Sequence, residues 1–136
     1  MNRVFKNWAN NKPVSLIKYI LDYVQKYPDT KIYVGTDSQN SGLNTVYVTT
    51  IVLRQGLRGG HILYNYHKIS IIKDFWSRLW RETELSLEIA QFISDNSPLQ
   101  IEAIDLDYND DDINSFSVNR LESFIDNVYD FRNETF

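Results

Sequence analysis

The spacing of hydrophobic and polar positions changes along the chain, and each change predicts an element. Between Val14 and Tyr27 apolar residues recur at helical spacing, and Pro28 ends this helix. Residues 31–37, 45–53 and 61–69 are rich in β-branched and aromatic residues and are separated by turn residues. These three segments predict an antiparallel meander of three strands.

The pattern becomes helical again after the third strand. Residues 75–94 contain no Gly or Pro, and their apolar positions, among them Trp76, Leu79 and Trp80, recur three and four residues apart. Residues 99–107 predict a fourth strand. A strand that follows a long crossover helix pairs parallel to an earlier strand. The sequence therefore predicts a mixed α/β fold with three antiparallel strands, a parallel fourth strand and helices on the sheet faces.

The length of 136 residues suits a single domain. We assign residues 1–30 to an N-terminal helical segment and 31–136 to the core, whose last helix starts near Ile113 or Ser115 and runs through Val128. The chain has no cysteine, which excludes disulfides, thiolate metal sites and cysteine nucleophiles. Because no stretch is apolar enough for a membrane span or a secretion signal, we expect a cytoplasmic protein.

Basic and acidic residues are distributed unevenly. Residues 82–136 carry fourteen acids against two arginines, whereas residues 54–81 carry six basic residues against one acid. Such a division is typical of a nucleic-acid enzyme that binds phosphate with one region and metal with another, and also of oppositely charged solvated faces. The candidate phosphate-binding residues are Arg54, Arg58, Lys68, Lys73, Arg78 and Arg81.

Two aspartates end predicted strands. Asp37 ends the first strand of the meander, and Asp107 ends the fourth strand, with Asp105 two residues earlier on the same face. If these strands are neighbours in the sheet, Asp37 and Asp107 lie about 5 Å apart. Carboxylates this close stay ionised only when cations neutralise them, and oxygen ligands of this kind suit Mg²⁺.

The crossover helix offers a third carboxylate. Glu84 lies one turn from Trp80 and from Leu87, so we expect it to border the surface that packs on the sheet. Glu82 points toward Arg78, a more solvated direction, and is expected to form an ordinary helix ion pair with it. The sequence thus favours Glu84 as the acid that joins Asp37.

Three short motifs resemble one family. Gly35-Thr-Asp-Ser-Gln39 on a strand, Arg81-Glu-Thr-Glu-Leu-Ser86 on the following helix and Leu106-Asp-Tyr-Asn109 after the next strand are similar to the ribonuclease H-like superfamily, and most of all to its small YkuK-type branch of predicted ribonuclease H-related proteins. The resemblance covers residues 14–110.

The resemblance implies metal-dependent cleavage of RNA, DNA or a hybrid. Asp37, Glu84 and Asp107 match the first three metal-binding acids of the family, and the implied ion is Mg²⁺ or Mn²⁺. Glu82 is an alternative to Glu84, and Asp105 is an alternative to Asp107.

The sequence departs from the family pattern near its end. After Asn109 it lacks the further strand and the helix that supply a fourth acid in the family. The acids that would replace it are Glu122, Asp126 and Asp130, and the sequence does not locate them at the site. A second hypothesis is therefore a weak or inactive module that binds nucleic acid or a partner protein. An open edge strand of the meander would allow a homo-oligomer.

Overall fold

The computed structural model describes residues 3–56 and 59–106. The elements are β1 (Phe5–Asn7), β2 (Pro13–Val14), α1 (Leu16–Lys26), β3 (Thr30–Ser41), β4 (Asn44–Gln55), β5 (Gly60–Ser70), α2 (Phe75–Asn96) and β6 (Ala103–Leu106). The last predicted helix lies outside the described residues. No described helix combines the length and the apolar character that crossing a membrane requires.

The six strands form one sheet in the spatial order β2-β1-β5-β4-β3-β6. The strands β3, β4 and β5 pair antiparallel, and β6 pairs parallel to β3. The parallel pairing follows from the crossover through α2, since that helix returns the chain to the same end of the sheet. The prediction of a mixed α/β fold is confirmed, whereas the prediction of four strands is wrong because the N-terminal segment adds two.

The N-terminal segment is only partly helical, which corrects the assignment of residues 1–30. The chain before α1 forms β1 and β2, and Lys6 and Asn7 of β1 lie opposite Tyr64 and Leu63 of β5. Strands of three and two residues are too short to produce a recognisable alternation in the sequence. The edge of the meander is therefore covered by β1 along this part of β5.

Both described helices pack on the same face of the sheet. One core cluster contains Ile20 of α1, Ile89 of α2 and Ile51 of β4, and side chains on alternate residues of β4 are buried along its length. The opposite face carries Tyr66, which is exposed, and Val48, which is half-buried. The expectation of helices on both sheet faces is thus not met within residues 3–56 and 59–106.

The start of α2 is fixed by its N-cap. The Asp74 side chain accepts hydrogen bonds from the Ser77 backbone N–H at 2.9 Å and from the Ser77 hydroxyl at 2.7 Å. The helix ends at Asn96, just before Ser97 and Pro98. The cap fixes the residue at which α2 begins. The α2 residues that face β3 form part of the candidate site.

A partly buried arginine, whose side chain is 12% exposed, connects the N-terminal segment to the sheet and to α2. Arg3 donates to Asn65 Oδ1 at 3.2 Å, to the Leu85 carbonyl at 2.9 Å and to the Thr49 hydroxyl. Burial lowers the pKa of the Arg3 guanidinium, and Glu88, 3.8 Å away, opposes this effect. Three elements that are distant in the sequence are thereby joined by one side chain.

We expect Arg3→Met to lower the free energy of unfolding by about 2–3 kcal/mol, because the partners of the guanidinium lose their hydrogen bonds while remaining largely buried. Urea denaturation measures the change. The matched control is Lys18→Met, which removes an exposed cation paired with Asp22 at 3.4 Å and should cost less than about 0.5 kcal/mol. Equal stabilities of the two variants would contradict this account of Arg3.

Candidate functional site

Asp37 lies on the sheet face that α2 does not cover. Its neighbours Thr36 and Ser38 both contact α2, so the alternation of side chains along β3 turns Asp37 to the opposite face. Its side chain is exposed and accepts a hydrogen bond from the Ser38 backbone N–H at 2.9 Å. Asp37 borders a cavity of about 310 Å³, which we call the Asp37 cavity, lined by Asp37, Ser38, Gln39, Ser41, Val46, Val48 and Tyr66.

Ser38 contacts two carboxylates on opposite sides of its own strand. Its backbone N–H donates to Asp37, while its hydroxyl donates to Glu82 Oε2 at 2.6 Å. The second bond is a short, charge-assisted contact between β3 and α2. The sequence assigns Ser38 no role outside the Gly35–Gln39 motif, and no residue spacing indicates this connection between β3 and α2.

The orientation of the two α2 glutamates is the reverse of the expected one. Glu82 is 8% exposed and faces β3. The Glu84 side chain is 52% exposed and pairs with Arg81 at 3.4 Å. The expectation that Glu84 borders the sheet and that Glu82 is solvated is therefore wrong.

The reason lies in which side of α2 packs on the sheet. Leu79, Thr83 and Ser86 are buried, whereas Trp80 is 47% exposed. The Ser86 hydroxyl lies 2.8 Å from the Thr36 hydroxyl, so small polar side chains mediate the closest approach of the helix to β3. Treating Trp80 as a core residue turned the predicted helix the wrong way.

The strand β6 lies next to β3, the strand that carries Asp37. In the parallel register Gly35 lies opposite Asp105, and Thr36 lies opposite Leu106. Asp107 lies outside the described residues. The other acids considered as a fourth ligand, Glu122, Asp126 and Asp130, lie outside them as well.

The described carboxylates fit a divalent cation in chemistry but not in arrangement. Carboxylate oxygens are the ligands that Mg²⁺ prefers. Within residues 3–56 and 59–106, however, no three acidic or histidine side chains gather into a group that would hold a metal ion. Asp37 and Glu84 line different cavities. This part of the chain therefore does not by itself assemble the three-acid site expected from the sequence.

The buried Tyr47 lies within the electrostatic influence of the Ser38–Glu82 contact. Burial raises the pKa of the Tyr47 hydroxyl, and the charge of Glu82 raises it further, while Arg81 and Arg78 act in the opposite direction. Arg78 and Arg81 of α2 thus act on the same buried hydroxyl as Glu82, with the opposite sign.

The candidate phosphate-binding residues divide into two groups. Arg54 lies opposite Lys31, whereas Asp37 lies opposite Val48, so Arg54 is about 20 Å along the sheet from the Asp37 cavity. Lys68 lies opposite Val46, which lines the Asp37 cavity. The remaining described members of the set, Lys73, Arg78 and Arg81, occupy the approach to α2 and its first two turns, and Arg58 lies outside the described residues.

A larger cavity of about 490 Å³ lies beside the first turns of α2. We call it the α2 cleft. It is lined by Ile69, Ile72, Asp74, Trp76, Ser77, Trp80, Arg81 and Glu84.

Comparison with known proteins yields one family. Residues 15–125, most of the chain, match the family model described as Ribonuclease H-like. The match includes β3, α2 and β6, the elements around the Ser38–Glu82 contact. No curated protein and no solved structure matches the chain.

Proposed function

The chain belongs to the ribonuclease H-like family, and we propose that it is a nuclease. It would hydrolyse phosphodiester bonds of RNA or DNA with the help of Mg²⁺ or Mn²⁺. The observation that supports this most strongly is the contact of Ser38 with both Asp37 and Glu82, because it joins two acids of the family motifs at one end of the sheet. Membership in the YkuK-type branch stays a prediction.

Asp37 and Asp107 are the proposed strand carboxylates. The parallel register supports this pair, since Thr36 and Leu106 lie opposite each other and each precedes one of the two aspartates in the chain. Asp37 is exposed at a cavity and so accessible to a substrate. Asp105, which lies opposite Gly35 in the same register, is the alternative to Asp107.

Glu82 is the proposed α2 carboxylate, in place of Glu84. Glu82 is buried against β3, and its bond from Ser38 holds the backbone that carries Asp37. Glu84 instead points into the α2 cleft with Arg81. A buried anion next to the strand is the better placed of the two to influence chemistry at Asp37.

The metal would be held by Asp37 and Asp107, while Glu82 would act on the site from the other face of β3 through Ser38. A bound Mg²⁺ or Mn²⁺ supplies activation of water and stabilisation of the leaving oxygen in phosphodiester hydrolysis. Lys68 lies on the same face of the sheet as Asp37, whereas Arg78 and Arg81 lie on α2. Phosphates of the nucleic acid would therefore contact basic residues on both sides of β3. The family match does not favour the alternative, a non-catalytic module, over the nuclease.

The proposal is tested by incubating the purified protein with labelled single-stranded RNA, single-stranded DNA, duplex DNA and an RNA–DNA hybrid. Each substrate is assayed with Mg²⁺, with Mn²⁺ and with EDTA. At least one substrate should be cut in the presence of a divalent ion and none in EDTA. Absence of cleavage on all four substrates, or cleavage that EDTA leaves unchanged, would refute the proposed activity.

A further inference from the structure

The α2 cleft presents an aromatic ring where a helix normally carries a solvated side chain. Trp80 is 47% exposed and lines the cleft. Trp76, one helical turn earlier, forms another part of the wall and packs edge-on against Phe75 with ring centres 5.4 Å apart. Trp76 thus packs against its neighbour in the helix, and Trp80 exposes about half of its surface at the cleft wall.

A guanidinium lies next to this ring. Arg81 follows Trp80 in α2, lines the same cleft and is held by Glu84 at 3.4 Å. Guanidinium groups bind phosphate oxygens through paired hydrogen bonds and also stack on planar rings. The cleft carries two carboxylates, Glu84 and Asp74, so a phosphate belongs beside Arg81 and not deep among the acids.

We propose that the α2 cleft binds one unpaired nucleotide of a single-stranded nucleic acid, with the base stacked on Trp80 and the adjoining phosphate held by Arg81. This inference rests on the proposed nuclease function and names the form of its substrate. The cleft volume of about 490 Å³ suits a single nucleotide. Stacking requires an exposed base face, which an unpaired nucleotide offers and a base inside a duplex does not.

The Ser38–Glu82 hydrogen bond links the helix that forms one wall of the cleft to the strand that carries Asp37. Glu82 follows Arg81 in α2 and accepts the hydroxyl proton of Ser38. Ser38 in turn lines the Asp37 cavity on the other side of β3. At the same end of the sheet, Asn40 of β3 donates to the carbonyl of the cleft residue Ile72 at 3.2 Å, so a nucleic-acid strand held at Trp80 would leave the cleft close to the end of β3 that follows Asp37.

Binding of a fluorescein-labelled 12-nucleotide strand, measured by anisotropy in EDTA, tests the proposal without cleavage. RNA and DNA strands of the same sequence are both used. Trp80→Ala should raise Kd about tenfold, the loss expected when one base loses its aromatic stacking partner. Trp80→Phe should keep Kd within about threefold of wild type because an aromatic face remains.

The matched control is Trp8→Ala. Trp8 is 62% exposed and lies just beyond β1, where its ring contacts Tyr64. Its loss should leave Kd unchanged, and Trp80→Ala should leave binding of a blunt duplex unchanged. Circular dichroism checks that each variant is folded. If Trp80→Ala does not fold, Trp80→Phe keeps the test informative.

Each outcome supports or overturns the inference. A loss of strand binding specific to Trp80→Ala supports it. An equal loss in Trp8→Ala, an equal loss of duplex binding, or a wild-type protein that binds neither strand overturns it. If binding depends on Trp80 but the wild-type protein does not cleave, the nuclease activity is refuted and nucleotide binding in the α2 cleft is supported. If the protein cleaves but binding does not depend on Trp80, only nucleotide binding in the cleft is refuted.

Discussion

Asp37→Asn is expected to reduce cleavage by about 10²–10³-fold, the loss typical of removing one charged or polar group that stabilises a transition state. The substitution keeps the size of the side chain and an oxygen that can accept the Ser38 N–H, so β3 should be unaffected. It removes the negative charge that a divalent ion would require. The rate is measured on the best substrate of the wild-type protein, at saturating Mn²⁺.

The stability of Asp37→Asn should lie within about 0.5 kcal/mol of wild type, because Asp37 is exposed. Asp95→Asn is the matched control. Asp95 is an exposed carboxylate near the C-terminal end of α2 that accepts a hydrogen bond from Gln91 at 2.7 Å. Cleavage by Asp37→Asn at the rate of the Asp95→Asn control would show that Asp37 has no part in the reaction.

Glu82→Gln should lower kcat by about 10–100-fold, whereas Glu84→Gln should change it by less than about threefold. The two glutamates lie on the same helix and differ by two positions, but only Glu82 is buried against Ser38. The amide keeps the shape of Glu82 and loses the charge that strengthens its bond from the serine hydroxyl.

Single-turnover and steady-state kinetics of the two glutamine variants separate binding from chemistry. A positioning or ligand role for Glu82 predicts a lower kcat with a KM near that of wild type. Glu82→Asp, which restores the charge on a shorter side chain, should recover part of the rate. A larger loss of kcat in Glu84→Gln than in Glu82→Gln would contradict this assignment and make Glu84, which the sequence favoured, the α2 carboxylate of the site.

The sequence was informative wherever a long element repeated one pattern. The many β-branched residues of 45–53 predicted β4, and the helical spacing of apolar residues without Gly or Pro in 75–94 predicted α2. The crossover rule then predicted that the last strand pairs parallel to an earlier one, and in the structure that partner is β3. Long elements bury enough side chains for their periodicity to be read without knowing their neighbours.

The errors arose where tertiary contacts decide the outcome. The strand β1 pairs with β5, and β2 pairs with β1. Neither these pairings nor the hydrogen bonds of Arg3 just before β1 leave a local pattern in the sequence. On α2, a tryptophan proved exposed and a glutamate buried, since Glu82 has a hydrogen-bond partner on β3. Burial of a charged group depends on such partners, and single-sequence patterns do not reveal them.

The most direct test of the central claim, that the acids joined through Ser38 serve phosphodiester hydrolysis by water, is the analysis of product ends. Hydrolysis with departure of the 3′ oxygen leaves a 3′-hydroxyl and a 5′-phosphate, and Asp37→Asn should produce almost none of these ends. Mass spectrometry of the products identifies them. Products ending in 2′,3′-cyclic phosphate, or equal amounts of the same products from Asp37→Asn, would contradict the account.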